Sequence, residues 1–300
     1  MAKISVIICS QNPREQYLNH VLLALMSQTL PQKEWEIILI DNASKKPLKN
    51  RFDLSWHSNA RIIREEKPGL TQARICGIQK AKGYVLLFVD DDNILNTTYL
   101  KQVLNISRYH KNWGVWSGSA IAKYTQIPKP FWKKYERYIC VRKINTEMES
   151  RSLFDWEAMP HGAGMAVRRG VAKQYARLCK KNRVRRSMDR TGSQLISGGD
   201  NDIALCAYQA GLKYGVTPKL SLLHLIPKER VRPFYFLKII RGSAYSNHLL
   251  AEIHSGKKSR VLIFRQLFGL VKRINLFEPR ETLVEAFRVW GNLQYAFQNR

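Results

Sequence analysis

Tyr84-Val-Leu-Leu-Phe-Val-Asp-Asp-Asp-Asn93 runs six apolar or aromatic residues straight into three aspartates. A run of this length and type suits a strand covered on both faces of a parallel sheet. The carboxyl end of such a strand is where open α/β sheets bind ligands. Three carboxylates gathered there repel each other and raise one another's pKa unless a cation offsets them. Hard oxygen donors suit Mg²⁺ or Mn²⁺, which bind through one or two carboxylates together with substrate phosphates. The stretch therefore points to a metal-assisted phosphate or diphosphate site. On residue type alone a second reading stands beside it, an acidic cap on the following helix.

Working outward, strand and helix signals alternate. Ile4 to Ile8 reads as a strand, and Pro13 then opens a helix with Leu18, Val21, Leu22 and Leu25 at helical spacing. Glu36 to Ile40 is a second strand, ending in Asp41-Asn42-Ala43-Ser44, and Arg61 to Arg64 a short third. Helices are expected near Leu70 to Lys82, from about Thr97 to Tyr109, and over Ile203 to Ala210. This alternation predicts an α/β fold with a doubly wound, mostly parallel sheet. Near Pro227 the chain loses its acidic strand ends and becomes basic and helical. No internal repeat or low-complexity segment interrupts it.

The charge balance is the outlier of the composition: 50 basic against 23 acidic residues, a net +27. Such an excess attracts anionic surfaces or phosphorylated substrates and says nothing about the fold. No stretch approaches the roughly 18 apolar residues of a membrane span. The opening Met-Ala-Lys has no secretory pattern, so a cytoplasmic protein is expected. Five scattered cysteines, none at metal-ligand spacing, read as reduced.

Ile4-Ser-Val-Ile-Ile, the strand ending in Asp41-Asn-Ala-Ser, Gly69-Leu-Thr-Gln-Ala-Arg74, Val89-Asp-Asp-Asp92 and Gly198-Gly-Asp-Asn-Asp202, in this order and spacing, resemble the family-2 glycosyltransferases with a GT-A fold. The likeness covers roughly residues 3 to 230. It implies transfer of a sugar from a nucleotide-diphosphate donor, UDP-sugar favoured, with inversion at the anomeric carbon. By resemblance Asp41 accepts a hydrogen bond from the nucleobase and Arg74 lies near the donor phosphates, where a guanidinium fork suits phosphate oxygens. Asp92 is expected on the metal, with Asp90 or Asp91 on the ribose or a metal-bound water. His224 falls where many family members carry a further metal ligand. On residue type alone Asp41 also reads as a turn former, Arg74 as a solvated helix charge, and His224, flanked by leucines, as a core histidine.

The resemblance aligns Asp200 with the base that takes the acceptor's proton, as an inverting transfer requires. Helix capping by Asp200 or Asp202 is the competing reading. Gly199 stands where the family usually has glutamate. His161 and Gly162, in His161-Gly-Ala-Gly-Met-Ala-Val-Arg-Arg169, resemble the segment beneath the acceptor, and Gly199 and Asp202 complete the expected acceptor region. The basic run Lys180 to Arg190 reads as a solvated loop or as a contact for a phosphorylated acceptor.

The Gln-x-x-Arg-Trp motif and membrane spans of the processive synthases are not evident, so one sugar per encounter is expected. The setting would be cell-surface polysaccharide or lipopolysaccharide synthesis on a glycan or lipid-linked acceptor. Residues 1-226 are expected to form the catalytic domain, its donor half to about 115 and its acceptor half from 116, with 227-300 a basic helical region. Lys258 to Arg273, if helical, gathers basic residues on one side and Ile263, Phe264, Leu267 and Phe268 on the other. Such a helix lies on an anionic membrane, which would put the enzyme peripherally on the inner face, or packs on the catalytic domain. A nucleotidyltransferase would carry a glycine-rich loop after the first strand, and Ser10-Gln-Asn-Pro-Arg14 has no glycine. A nucleic-acid binder would not place aspartates at three strand or helix ends, where they repel phosphates.

Overall fold

The computed structural model describes residues 2–189, 195–256 and 278–298. Four strands, β1 (Ile4–Ser10), β2 (Trp35–Asn42), β3 (Ala60–Glu65) and β4 (Val85–Asp90), pair in parallel. They continue into β5 (Asn93–Leu95), β6 (Trp113–Tyr124), β7 (Met148–Glu149), β8 (Met165–Arg168) and β9 (Lys213–Ile226). The sheet order is β3-β2-β1-β4-β8-β6-β9-β5, with β7 added along β9. β8 runs antiparallel between β4 and β6, and β6 and β9 are parallel.

Helices cover both faces because successive side chains of a strand point to opposite sides. Ile4, Val6 and Ile8 of β1 pack with Ile37 and Leu39 of β2 against α1 (Glu15–Met26) and α3 (Tyr99–Tyr109). Ile7 joins Ile38 and Ile40 on the other face, against α2 (Leu70–Lys80), α5 (Arg169–Lys181) and α7 (Gly199–Gln209), with the short α6 (Arg183–Arg186) between the last two in the chain. Each such aliphatic side chain contributes about 1.5–3 kcal/mol on burial. The doubly wound expectation is met, as is the helical region beyond Pro227.

That region shares a third core with the middle of the chain. Trp132, in the short α4 (Pro130–Lys133), stacks on Phe236 of α8 (Pro233–Ser255) at 5.3 Å between ring centroids. Tyr135, Ile139, Ile226 and Val284 of α9 (Pro279–Gln298) complete the cluster. Helix α8 is thereby laid beside the carboxyl ends of the strands. The amphipathic segment Lys258 to Arg273 lies outside the described residues.

Two local expectations are corrected. The helix expected at Pro13 begins at Glu15, because the preceding turn is tied elsewhere: Ser44 Oγ accepts from Asn12 N at 2.9 Å, and Asn12 Oδ1 accepts from Lys45 N at 2.9 Å. After β4 the chain does not enter a helix. It turns at Asp91-Asp92 and returns as β5, antiparallel to β9 with Asn93 opposite His224. The aspartates therefore cap nothing, and α3 starts only after Thr98.

Candidate active site

The carboxyl ends of β1 and β4 open into a cleft of about 220 Å³, lined by Asp90, Asp91 and Asp92 with Ser10, Asn42, Arg74, Asp189, Asp200, His224 and Arg230. Asp92 and His224 meet here because β5 hydrogen-bonds to β9. His224 Nε2 lies 3.5 Å from Asp92 Oδ2, while its Nδ1 faces the Cys140 carbonyl at 3.4 Å. Arg230 donates to the same Asp92 oxygen at 2.9 Å and stands 3.3 Å from His224 Nε2. Burial opposes the Arg230 charge, but Asp92, Asp91 and Asp90 outweigh it and hold the guanidinium protonated. Even so the cleft is short of positive charge. Burial, then Asp92 and Asp90, push the Asp91 carboxyl up to about 7, against the hydroxyl hydrogen bond that Ser10 donates to it.

Arg74 is buried, not solvated. It donates to Asp189 Oδ2 at 3.0 Å, the oxygen that also accepts from the Thr71 hydroxyl at 2.8 Å. Burial works against its charge, and Asp189, Asp200 and Asp90 more than offset it. Asp200 sits in the first turn of α7. Its Oδ2 accepts from Gly162 N at 2.9 Å and its Oδ1 from Asn201 N at 3.0 Å. A Cβ on Gly162 would stand 3.0 Å from Arg74 Nη2 and 3.1 Å from Asp200 Oδ2, tighter than most contacts of that kind, so glycine leaves room for both.

Asp200 also borders a second cleft, of about 440 Å³, with Arg137, Tyr138, Arg142, Trp156, His161, Ser243 and Asn247. Burial lowers the His161 pKa to about 4, assisted by Arg142 and Arg137 and resisted by Asp200. An unfolded histidine titrates near 6.5, so between these values the unfolded chain binds the extra proton. His161 therefore contributes stability that is complete above about 6.5 and lost as pH falls toward 4. Denaturation from pH 7 to 4 should be less pH-dependent in His161→Gln, and the His161 ring signal should not titrate near 6.5. A midpoint there would contradict its burial as a neutral ring.

Three expected site residues stand elsewhere. Asp41 turns inward: Oδ1 accepts from Ser44 N at 3.0 Å, and Oδ2 from Leu48 N at 3.1 Å and Arg64 at 3.0 Å. Burial opposes its charge, yet these bonds hold its pKa below the ordinary value. Its neighbour Asn42 reaches the first cleft instead. Asp202 is fully buried and does not reach the acceptor side. Its Oδ1 accepts from Arg185 at 2.5 Å and stands 2.7 Å from His254 Nε2, tying α7 to the end of α8. Cys206 adjoins this group, and a cation bound by Asp202, Cys206 and His254 would compete with Arg185, which also lies 3.1 Å from Cys206 Sγ. Gly199 lines neither cleft, and a Cβ on it would overlap the Asp189 carboxylate. Asp189 thus fills the space that a side chain at 199 would need.

Gly199→Ala should cost about 1–3 kcal/mol, the usual penalty of overpacking. Combined with Asp189→Ala, the double variant should lose clearly less than the sum of the singles in chemical denaturation. Strict additivity would contradict the overlap.

Sequence reasoning missed Asp189, Arg137, Arg142 and Trp156, and it noted Arg230 only as the arginine that follows His224-Leu-Ile-Pro227, with no role of its own. Asp189 had one signal, as the sole acid in the run Lys180 to Arg190. Within that run Arg185 turns inward to Asp202, Arg186 bonds the Cys179 and Lys180 carbonyls, Lys180, Lys181 and Arg183 are exposed, and Arg190 lies outside the described residues.

Glycosyltransferase AglE of Haloferax volcanii is 33% identical over 92 residues, 30% of this chain and 30% of that protein. Poly(ribitol-phosphate) beta-N-acetylglucosaminyltransferase TarS of Staphylococcus aureus is 28% identical over 108 residues, 34% of this chain and 18% of that protein. The match thus takes in less than a third of either relative's length. A crystal structure of S. aureus TarS 1-349 in complex with UDP-GlcNAc has a TM-score of 0.52 over 98% of this chain and 92% of that one at 16% identity, a likeness of fold alone. The glycosyl transferase family 2 pattern matches residues 5–176, which run from β1 through the acidic end of β4 into α5. Since that match takes in more than half of the chain, the protein belongs to glycosyl transferase family 2.

Proposed function

We propose that this chain is a metal-dependent, inverting glycosyltransferase that moves a sugar from a nucleotide-diphosphate donor to a glycan hydroxyl in cell-surface polysaccharide synthesis. The observation that carries the reading is the place of Asp200, whose carboxylate borders both the acidic cleft and the second one. A donor in the first cleft and an acceptor in the second would meet beside it. UDP-sugars come first among donors, in keeping with the UDP-GlcNAc bound in the TarS structure. Lipid-linked acceptors and peripheral attachment to the inner face of the membrane belong to the same proposal. Among the described residues no helix is long and apolar enough to cross a membrane.

The residues present fit a divalent cation. Burial, with the neighbouring Asp92 and Asp90 charges, drives Asp91 toward neutrality, and an oxygen and an imidazole nitrogen converge at Asp92 and His224, a donor set suited to Mn²⁺ or Mg²⁺. Asp92 and His224 would hold it, with Asp90 and Asp91 toward the ribose. Bound there, the cation neutralises the charge that develops on the departing diphosphate. Arg74, braced by Asp189, adds a fixed positive charge on the same side. Asp200, oriented by the Gly162 N–H, takes the proton from the acceptor hydroxyl. That oxygen bonds to the anomeric carbon as the bond to the diphosphate breaks on the opposite face. Residues 1-226 form the catalytic domain in this reading, its donor half to about 115 and its acceptor half from 116. The region 227-300 adds Tyr235 to the first cleft and Ser243 and Asn247 to the second.

A second reading has its own observation. Arg230 already rests on Asp92, and it could supply the neutralising charge without a metal. A thermal-shift panel of nucleotide sugars with Mn²⁺ or EDTA separates the two. Ligand at 100 times its Kd adds about 2.7 kcal/mol to stability, so one nucleotide sugar should raise the Tm by several degrees in Mn²⁺ and not in EDTA. A panel with no shift in either condition would remove the donor proposal.

A further inference from the structure

The second cleft carries more positive charge than its walls neutralise. Arg137 follows α4 in the short helical turn Glu136–Ile139, is exposed, and has no carboxylate partner among the described residues. Arg142 lies five residues on, at an isolated bridge to Ala120. Its guanidinium donates to the carbonyl of Glu157 at 2.5 Å and to that of Met159 at 3.4 Å. The Glu157 carboxylate is 3.7 Å from Arg142 but 70% exposed, a geometry that solvent screens strongly. The other carboxylate of the cleft, Asp200, already accepts two backbone N–H bonds and faces the Arg74 charge. Burial, opposed by Glu157 and assisted by Arg137, holds the Arg142 pKa below its ordinary value, and the same two guanidiniums bear on His161 beside Asp200. Two like charges facing one cleft are stable only at a cost, which a bound anion would relieve. The opposite chemistry is present too. Trp156 is 38% exposed at the rim and Met159 is buried at the wall, a flat apolar surface of the kind on which a sugar ring lies.

We propose that the second cleft is an acceptor subsite for an anionic glycan, with Arg137 and Arg142 holding a carboxylate or phosphate group and Trp156 a sugar face, so that a hydroxyl is presented to Asp200. The guanidinium fork matches either anion bidentately. The inference rests on the glycosyltransferase reading, from which it takes the role of Asp200, but the charge selectivity of the cleft is independent of it.

The test uses the full chain with UDP and Mn²⁺ present and three probes on one scaffold: methyl glucoside, methyl glucuronide and methyl glucoside phosphate. Ligand-observed NMR titrations should give at least about tenfold tighter binding for one of the charged probes than for the neutral one, the scale of a hydrogen bond to a charged group. Which charged probe wins tells a carboxylate acceptor from a phosphate one. Arg137→Gln should remove most of that preference, and added salt should weaken it, while UDP binding in the same samples stays unchanged. Arg142→Lys, which keeps a donor for the Glu157 carbonyl, should weaken the preference in the same direction. Equal binding of all three probes, or a preference that survives Arg137→Gln, overturns the proposal. Failure of UDP to bind wild-type protein would instead strike the donor reading, and the comparison of charged and neutral probes would still decide this one.

Discussion

Asp200→Asn lowers kcat by at least about 10²-fold, the usual scale for a general base, while the donor nucleotide binds with nearly unchanged affinity. The split follows from where the carboxylate sits. Its oxygens contact Gly162 and Asn201 backbone N–H groups at the border of the two clefts, whereas the groups proposed for the diphosphate are Arg74 and the acidic end of β4. The amide retains an acceptor oxygen for one of those N–H groups but has lost nearly all capacity to take a proton. No second carboxylate of α7 stands ready, since Asp202 is buried beneath Arg185 and His254. The check is steady-state kinetics alongside calorimetric titration of nucleotide. Normal turnover would dismiss Asp200 as the base, and loss of nucleotide binding would move it to the donor side.

Asp92→Asn has the larger effect, abolishing turnover together with the Mn²⁺-dependent stabilisation by nucleoside diphosphate. Asp92 is the carboxylate on which His224 and Arg230 converge, so its charge organises the end of the cleft proposed to hold the cation. The fold should persist, because substitution relieves repulsion on Asp91 even as it weakens the Arg230 pair. Thermal melts without ligand should therefore remain close to wild type, and the added Mn²⁺ response should vanish. Full activity of the variant in EDTA would sink the metal assignment and favour Arg230 as the permanent cation.

How much of this was legible in the sequence depends on separation along the chain. The apolar run of β4, the alternation of β1 and β2 between two cores and the apolar stripe of α1 are local patterns, and they fixed the doubly wound sheet. Asp90 to Asp92 were readable as a strand end. What residue type left open was whether they capped a helix, and the answer came from β5 pairing with β9, an antiparallel contact no local pattern announces. His224 meets Asp92 for the same reason. Asp189 was hidden in a basic run, because the pairing that gives it a role joins it to Arg74 on α2. Arg137 and Arg142 are ordinary surface arginines until the turn after α4, the Trp156 loop and α8 close round the second cleft. Asp41 failed in the opposite direction: a strand-end aspartate looks available, and its own loop consumes it with two backbone N–H groups and Arg64.

The central claim is that the acidic end of β4 holds a cation and a donor diphosphate together. Calorimetric titration of the full chain with nucleoside diphosphates, UDP first, in Mn²⁺ and then in EDTA, tests it most directly. The account predicts saturable binding of one nucleotide in Mn²⁺, weakened at least about tenfold by EDTA, the loss of roughly 1.4 kcal/mol or more of interaction. Binding of equal strength in EDTA, or no saturation by UDP, GDP, CDP or dTDP in Mn²⁺, would contradict it.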